Sequence, residues 1–482
     1  MKMFIGGKAV DATGNKTIDV LNSATLEKID TVPAATAEDV NRAIEIARAG
    51  KKTWGKTAMH ERAKVLLKCA DLLEAHVEEL AQLLSTEMGK VIREARGEVD
   101  CAVQILRAYV EKAKHFYGET ITTDTQPACD KDIIFTRHEP LGIVACISPF
   151  NYPVELCMHK IASALSVGNC VIVKPATDNP LSLLRITELM LSAGVPGEAL
   201  QMISGQGSVI GNILVESEHI DAVSFTGSTE IGQKIAQTAA RTLKHIFLEL
   251  GGNDPFIVFD DADMELAVNE CAASRVQNAG QTCCAPKRFL IQNSIKEAFV
   301  PKLIERLGKV KTGSPLDPNT DLGALINPAA ALEVKRQVEH TISQGAKCVY
   351  GGKLSAQTYY DPTVLLDVTP EMDISKDMEV FGPVFPILGF DTEEEALNIA
   401  NNTCFGLNAA VFTSDMKKAI RAASLIECGS VVINGSCCYR NIDQPHGGRK
   451  MTGLGREGIC CTLEEMTQPK AYILKGILGV GE

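Results

Sequence analysis

Between residues 60 and 117, apolar side chains return every three or four positions, as at Val65, Leu66, Cys69, Leu72 and Leu73, and this spacing predicts helix. The period is lost over 119–140, where Thr and Asp are frequent and Ile133–Arg137 reads as a strand. That stretch predicts a hairpin projecting from the body. From Leu141 the pattern changes to short apolar runs separated by helical stretches. The runs are Ile143–Ile147, Cys170–Val173, Ala222–Phe225 and Ile246–Leu248, with helices expected near 155–166, 181–193 and 229–240. A second series follows at Phe256–Phe259, Phe289–Gln292, Val384–Phe390, Ala409–Phe412 and Ser430–Ile433. Its helices are expected near 263–278, 294–308, 329–344, 392–401 and 415–427. Strands that alternate with helices predict a parallel sheet covered on both faces. The expectation is an α/β protein of two domains, divided near Gly251-Gly252. A last strand is expected at 468–475, able to pair with the 119–140 hairpin or with another subunit.

Composition adds bounds. At 482 residues the chain is too long for one ordinary core. Hydrophobic residues at 45% and charged residues at 22% argue against long disorder. A formal net charge of −12 sets nucleic acid and anionic membrane aside as partners. No apolar run approaches the roughly 18–20 residues that span a bilayer. The opening MKMFIGGKAVDATG has neither the apolar region nor the cleavage site of a signal peptide. A cytoplasmic protein with its 16 cysteines reduced is expected. Cys-Cys pairs occur at 283–284, 437–438 and 460–461, without any C-x-x-C, so no metal site is expected.

Six segments carry candidate chemistry. Gly205-Gln206-Gly207-Ser208-Val209-Ile210-Gly211 is a loop where backbone could approach a pyrophosphate, or a plain strand–helix turn. Its G-x-G-x-x-x-G spacing differs from the dinucleotide fingerprint. Phe225-Thr226-Gly227-Ser228-Thr229 ends a strand and starts a helix at once, leaving free N–H groups for a phosphate. Lys174 stands at the carboxyl end of a buried strand, where open α/β sheets bind ligands; it could reach a ribose or turn out to solvent. Glu249 closes another apolar strand, and burial there would raise its pKa toward that of a general base. Gly280-Gln281-Thr282-Cys283-Cys284 holds a candidate thiol nucleophile without saying which cysteine reacts. Asn151, between Pro149-Phe150 and Tyr152-Pro153, could donate to an oxyanion or simply serve a turn.

In order and spacing these segments resemble the aldehyde dehydrogenase superfamily. The resemblance runs on through Glu379-Val380-Phe381-Gly382-Pro383 to Gly447-Gly448-Arg449-Lys450-Met451-Thr452-Gly453, and so covers essentially the whole chain. It implies a Rossmann-like cofactor domain (1–118 and 141–250), a second α/β catalytic domain (251–462) and a small β oligomerisation element (119–140 and 463–482). It implies Cys283 as nucleophile, Glu249 as base and Asn151 as oxyanion donor. For NAD or NADP it implies Ser148, Phe150, Lys174, Thr177, Gly207, Phe225, Gly227, Ser228, Ile231, Leu250, Glu379 and Phe381. It further implies a homodimer or homotetramer. The base separates hydrolytic members from CoA-acylating ones and favours a free acid product.

Two departures matter. Many NAD-preferring relatives carry Glu two residues after the Pro of Lys-Pro; here Thr177 removes its repulsion of a 2′-phosphate, so both cofactors are expected. The pocket positions carry Arg107, Tyr152, His159, Thr282, Cys284, Arg440 and His446. Read together they predict a polar, cationic pocket for a short polar aldehyde, including one with a carboxylate, phosphonate or sulfonate gripped by arginine. Arg440 in its loop resembles lactaldehyde-type, phosphonoacetaldehyde-type and sulfolactaldehyde-type members. Thr282 departs from the Arg found there in non-phosphorylating glyceraldehyde-3-phosphate members.

Overall fold

The structure, a computed structural model, describes residues 1–479. The helical stretch over 60–117 is three helices, Met59–Ala75, Val77–Met88 and Ile92–Lys114. His76 leaves helical geometry at the first break. Gly89 makes the second with φ +85°, and a Cβ there would meet the Ala324 carbonyl at 2.9 Å. The first 58 residues hold strands Met3–Ile5, Lys8–Val10, Thr17–Leu21 and Lys28–Pro33 and the helix Ala37–Thr53, all outside the sequence expectation. These strands are three to six residues long and mostly half exposed, so hydrophobic period marks them weakly.

The two expected sheets are present. In the first, Leu200–Met202, Cys170–Lys174, Ile143–Ile147, Ala222–Thr226 and His245–Glu249 lie side by side in parallel. The second has six parallel strands in the order Thr363–Leu366, Val384–Phe390, Pro286–Gln292, Asp254–Val258, Asn408–Phe412 and Ser430–Ile433. Central strands such as Cys170–Lys174 and Asp254–Val258 are buried at every position, as sheets covered on both faces require. From Ile143–Ile147 the first sheet grows one way through two strands, then restarts on the other side at Ala222–Thr226. This reversal opens a crevice between the carboxyl ends of those two strands. The chain also returns late: Leu454 and Gly453 pair antiparallel with Leu248 and Glu249, extending the first sheet.

A third sheet stands apart. Thr467–Leu474 pairs with Ile133–Pro140 along its whole length, and Thr120–Ile121 adds a short edge. The tail strand thus finds the hairpin of its own chain. Among the described residues no helix is long and apolar enough to cross a membrane.

The helix Pro153–Val167 follows the crevice and carries several pocket positions. Its N-terminal amides at Val154 and Glu155 donate to Glu98 Oε1 at 2.8 and 3.2 Å. Glu98 belongs to Ile92–Lys114, and its other oxygen binds the buried Lys90 ammonium. One carboxylate thus caps a helix and neutralises a cation. Glu98→Ala should cost about 3 kcal/mol by stranding Lys90. The buried indole of Trp54 donates to Leu165 O on that helix and reports the loss. A Trp54 fluorescence transition at an unchanged denaturant midpoint would refute the cap.

Candidate active site

The crevice widens into a groove of about 370 Å³, walled by Phe150, Thr226, Gly227, Ser228, Leu250, Cys283, Glu379 and Phe381 among others. Phe150 and Phe381 meet edge to face at 6.0 Å. Ser228 precedes the helix Thr229–Ala239 without capping it through its side chain, so the first amides stay open to an anion. The Thr226 hydroxyl is buried in the groove wall with no partner. Phe225 is buried in the strand behind, and Ile231 is exposed on the first turn of the helix. Lys174 ends its strand with Nζ on Pro175 O at 2.8 Å, beside Gly207, and burial brings its ammonium down to about 8. Thr177 donates to Gly205 O, and Asp178 accepts from Asn327. Ser148 is buried and donates to Pro153 O, shaping the turn into the helix. An apolar slot, free helix amides and polar groups at both ends fit a dinucleotide such as NAD(P).

The thiol end is built from strained backbone. Asn278, Ala279 and Gly280 take φ of 50°, 52° and 75° in succession. The Asn278 side chain holds this turn by donating to Asn151 O at 2.9 Å and Gln281 O at 3.1 Å. Asn151 Nδ2 donates to Gln281 O at 3.1 Å. Cys283 is half-buried and faces the groove, whereas Cys284 is buried behind it, its carbonyl 3.9 Å from Cys438 Sγ. The Cys284 thiol and burial push the Cys283 thiol well above its usual range; Lys287 and Arg440 pull the other way.

Lys287 has no place in the sequence reading. It is buried, donates to Cys283 O at 2.5 Å and lies 3.3 Å from Glu379 Oε1. Glu379 Oε1 also accepts from Gly252 N at 3.1 Å. One ammonium therefore ties the thiol loop to the carboxylate across the groove.

Glu249 ends its strand half-buried. Burial and Glu457 push its carboxyl well up, against Lys160. Its Oε1 occupies the space of a side chain at Gly447, where φ is +152° and a Cβ would sit 2.8 Å away. Glu457, also missed from sequence, is buried and takes Lys160 Nζ at 3.1 Å and Arg440 Nη2 at 2.6 Å. Burial alone would raise the Glu457 carboxyl; Lys160 and Arg440 hold it well below the usual range. Its bond to Lys160 spans 297 positions, a separation no local pattern reveals.

Two expected pocket cations change meaning. Arg107 faces outward and forks onto Asp71 and Glu74 at 2.7–3.0 Å, so it is not brought to the site. Its helix turns a charged face to solvent at that position. Arg440 does approach Cys283, but it is bound to Glu457 and lies 3.7 Å from Glu155. The cationic pocket expected from sequence is corrected accordingly: its arginine charge is already offset. Tyr152 is held by Gln277 Nε2 at 3.1 Å and Thr282 Oγ1 at 3.4 Å, with the Lys90 ammonium 3.6 Å from its ring. His159 is buried with Nδ1 on Tyr109 OH at 3.1 Å, and His446 is buried beside Arg440 and Glu457.

Residues 9–472 match the profile of the Aldehyde dehydrogenase family. The chain belongs to that family. A mitochondrial succinate-semialdehyde dehydrogenase of Arabidopsis thaliana is 40% identical, over 98% of this chain and 89% of its own length. A 3-sulfolactaldehyde dehydrogenase of Priestia megaterium is 38% identical over 98% and 97%. A lactaldehyde dehydrogenase of Methanococcus maripaludis is 35% identical over 98% and 100%. Among solved structures, an NADP-dependent enzyme of E. coli superposes with a TM-score of 0.95 at 35% identity, covering 98% of both chains. A betaine aldehyde dehydrogenase of Staphylococcus aureus in complex with NAD+ gives 0.95 at 35% identity, covering 98% and 95%. This aldehyde dehydrogenase is an NAD(P)-dependent oxidoreductase that takes an aldehyde to an acid. The lactaldehyde and sulfolactaldehyde likenesses drawn from the Arg440 loop recur among its relatives; the succinate-semialdehyde likeness enters only here.

Lys287→Met removes the cation that draws the thiol toward its ionised form. Iodoacetamide alkylation of Cys283 should slow about tenfold at neutral pH. Unchanged alkylation across the pH range would show that Lys287 has no electrostatic hold on the thiol.

Proposed function

We propose that this chain oxidises a short polar aldehyde to its free acid, with Cys283 as nucleophile, Glu249 as hydrolytic base and Asn151 as oxyanion donor. The observation that carries the reading is the Cys283 thiol on the groove wall, with Glu249 close enough to feel its charge and the Asn151 amide bonded to the thiol loop at Gln281 O. Bound NAD(P)+ supplies the acceptor for the substrate hydride. The Cys283 sulfur adds to the carbonyl carbon, and the resulting oxygen anion is met by the Asn151 amide and the Cys283 N–H. The thioester left on Cys283 is attacked by water, whose proton passes to Glu249. Lys174 and Glu379 would hold the two riboses, with the amides behind Ser228 at the phosphates. The lack of a carboxylate at Thr177 supports use of NAD and NADP alike. The exposed Ile121, Ile473 and Leu474 on the third sheet support a homo-oligomer formed there.

Cys283→Ala should abolish NAD(P)H formation while NAD+ and NADP+ still bind, as followed by calorimetry; Cys284→Ala should keep most of the rate. Turnover surviving in the first variant would end the assignment.

Glu249 must be ionised to accept a proton, and its carboxyl lies above the ordinary 4.5. Activity should therefore fall as pH drops through a value well above 4.5, and Glu249→Gln should stall at the thioester. Acyl-CoA formed on adding CoA, with no free acid released, would instead favour the CoA-acylating reading.

A further inference from the structure

Around Cys283 the charges cancel. Lys160 and Arg440 supply two cations, and Glu457 and Glu155 supply two carboxylates within 4 Å of them. His159 and His446 add none, because burial lowers both imidazoles to about 3. No positive charge is left to neutralise an incoming anion.

Hydrogen-bonding capacity, by contrast, is left over. Arg440 gives one bond, from Nη2 to Glu457, and lies 3.7 Å from Glu155, too far for another. Its remaining N–H groups have no acceptor among the described residues. The Glu155 carboxylate keeps 15% of its surface open and accepts no hydrogen bond among those residues. His159 Nε2 and His446 Nδ1 are buried without partners, although both rings are over nine-tenths buried. Buried polar atoms in native proteins are almost always satisfied, so this concentration calls for a ligand that satisfies it. His159 and Glu457 border, with Glu249, a small void of about 20 Å³, room for one water beside the proposed base.

We propose that the site takes a short, uncharged, hydroxyl-bearing aldehyde, and that Glu155 is the specificity-determining residue that turns anionic aldehydes away. This rests on the aldehyde oxidation proposed above. A hydroxyl both donates and accepts, so it can serve Glu155, Arg440 and a neutral imidazole at once. A carboxylate or sulfonate can only accept; it must compete with Glu457 for Arg440 and lie against Glu155 with little water to screen it. The relatives' names include anionic aldehydes and an uncharged hydroxyaldehyde, so they do not choose between the two.

The test compares kcat/KM for lactaldehyde, glyceraldehyde, propanal and succinate semialdehyde with NAD+, using the full chain. Lactaldehyde and glyceraldehyde should lead propanal by roughly a hundredfold, because a site built to bond a hydroxyl rejects the analogue without one. Succinate semialdehyde should also trail. The isosteric Glu155→Gln should raise succinate semialdehyde about tenfold relative to lactaldehyde, by removing the facing charge. His159→Phe should lower kcat/KM for the two hydroxyaldehydes about tenfold relative to propanal. Succinate semialdehyde leading in the wild type, or a ratio unmoved by Glu155→Gln, overturns the proposal and leaves the aldehyde oxidation standing. No turnover of any of the four sinks both.

Discussion

The site hangs on one piece of backbone, the return of residues 447–457 to the first sheet. Gly453 and Leu454 pair with Glu249 and Leu248, and Leu250 N donates to Thr452 O at 2.8 Å. This ladder sets the end of the strand that carries Glu249. The same segment supplies Gly447, whose missing side chain makes room for the carboxylate, and Glu457, which lies behind it. The first sheet is thereby closed by chain that has already built the second. The groove between the two units is covalently and hydrogen-bond tied on the side of the base.

Buried charge is the second constraint. The buried Lys90, Glu98, Lys160, Lys287 and Glu457, and the largely covered Arg440, all sit near the thiol loop or the helix Pro153–Val167. Such pairs are costly to bury, and hydrophobic replacements often stabilise as well or better. Their value here lies in electrostatics and placement. Lys287 acts on the thiol and on Glu379, and Lys160 opposes the upward push on Glu249. Pre-set charges of this kind need no reorganisation as charge develops on a reacting carbonyl.

The pocket separates recognition of a motif from recognition of a substrate. Arg440 in its loop reads as an anion grip only while its neighbours are unknown. Glu457 and Glu155 come from a different loop and from the first turn of a helix, and together they convert a cation into a neutral pair with unused donors. Arg107 fails for a simpler reason. One residue's rotation on a helix decides between pocket and solvent, and Asp71 and Glu74 hold it on the solvent side.

By itself the sequence determined what rests on short-range pattern and residue type. The apolar runs from Ile143 to Ile433 predicted the strands because sheets buried on both faces need continuous apolar stretches. The thiol, the carboxylate at a strand end and the Thr-Gly-Ser turn were legible because their chemistry is local to a few residues. Tertiary structure alone decided the two breaks that divide the 60–117 stretch into three helices and the pairing of the tail strand with its own hairpin. It also decided which cysteine faces the groove, the part played by Lys287 and Glu457, and whether Arg440 is free. Each of these depends on which distant side chain lies within about 4 Å, and electrostatic and hydrogen-bond energies are set by that distance rather than by separation along the chain.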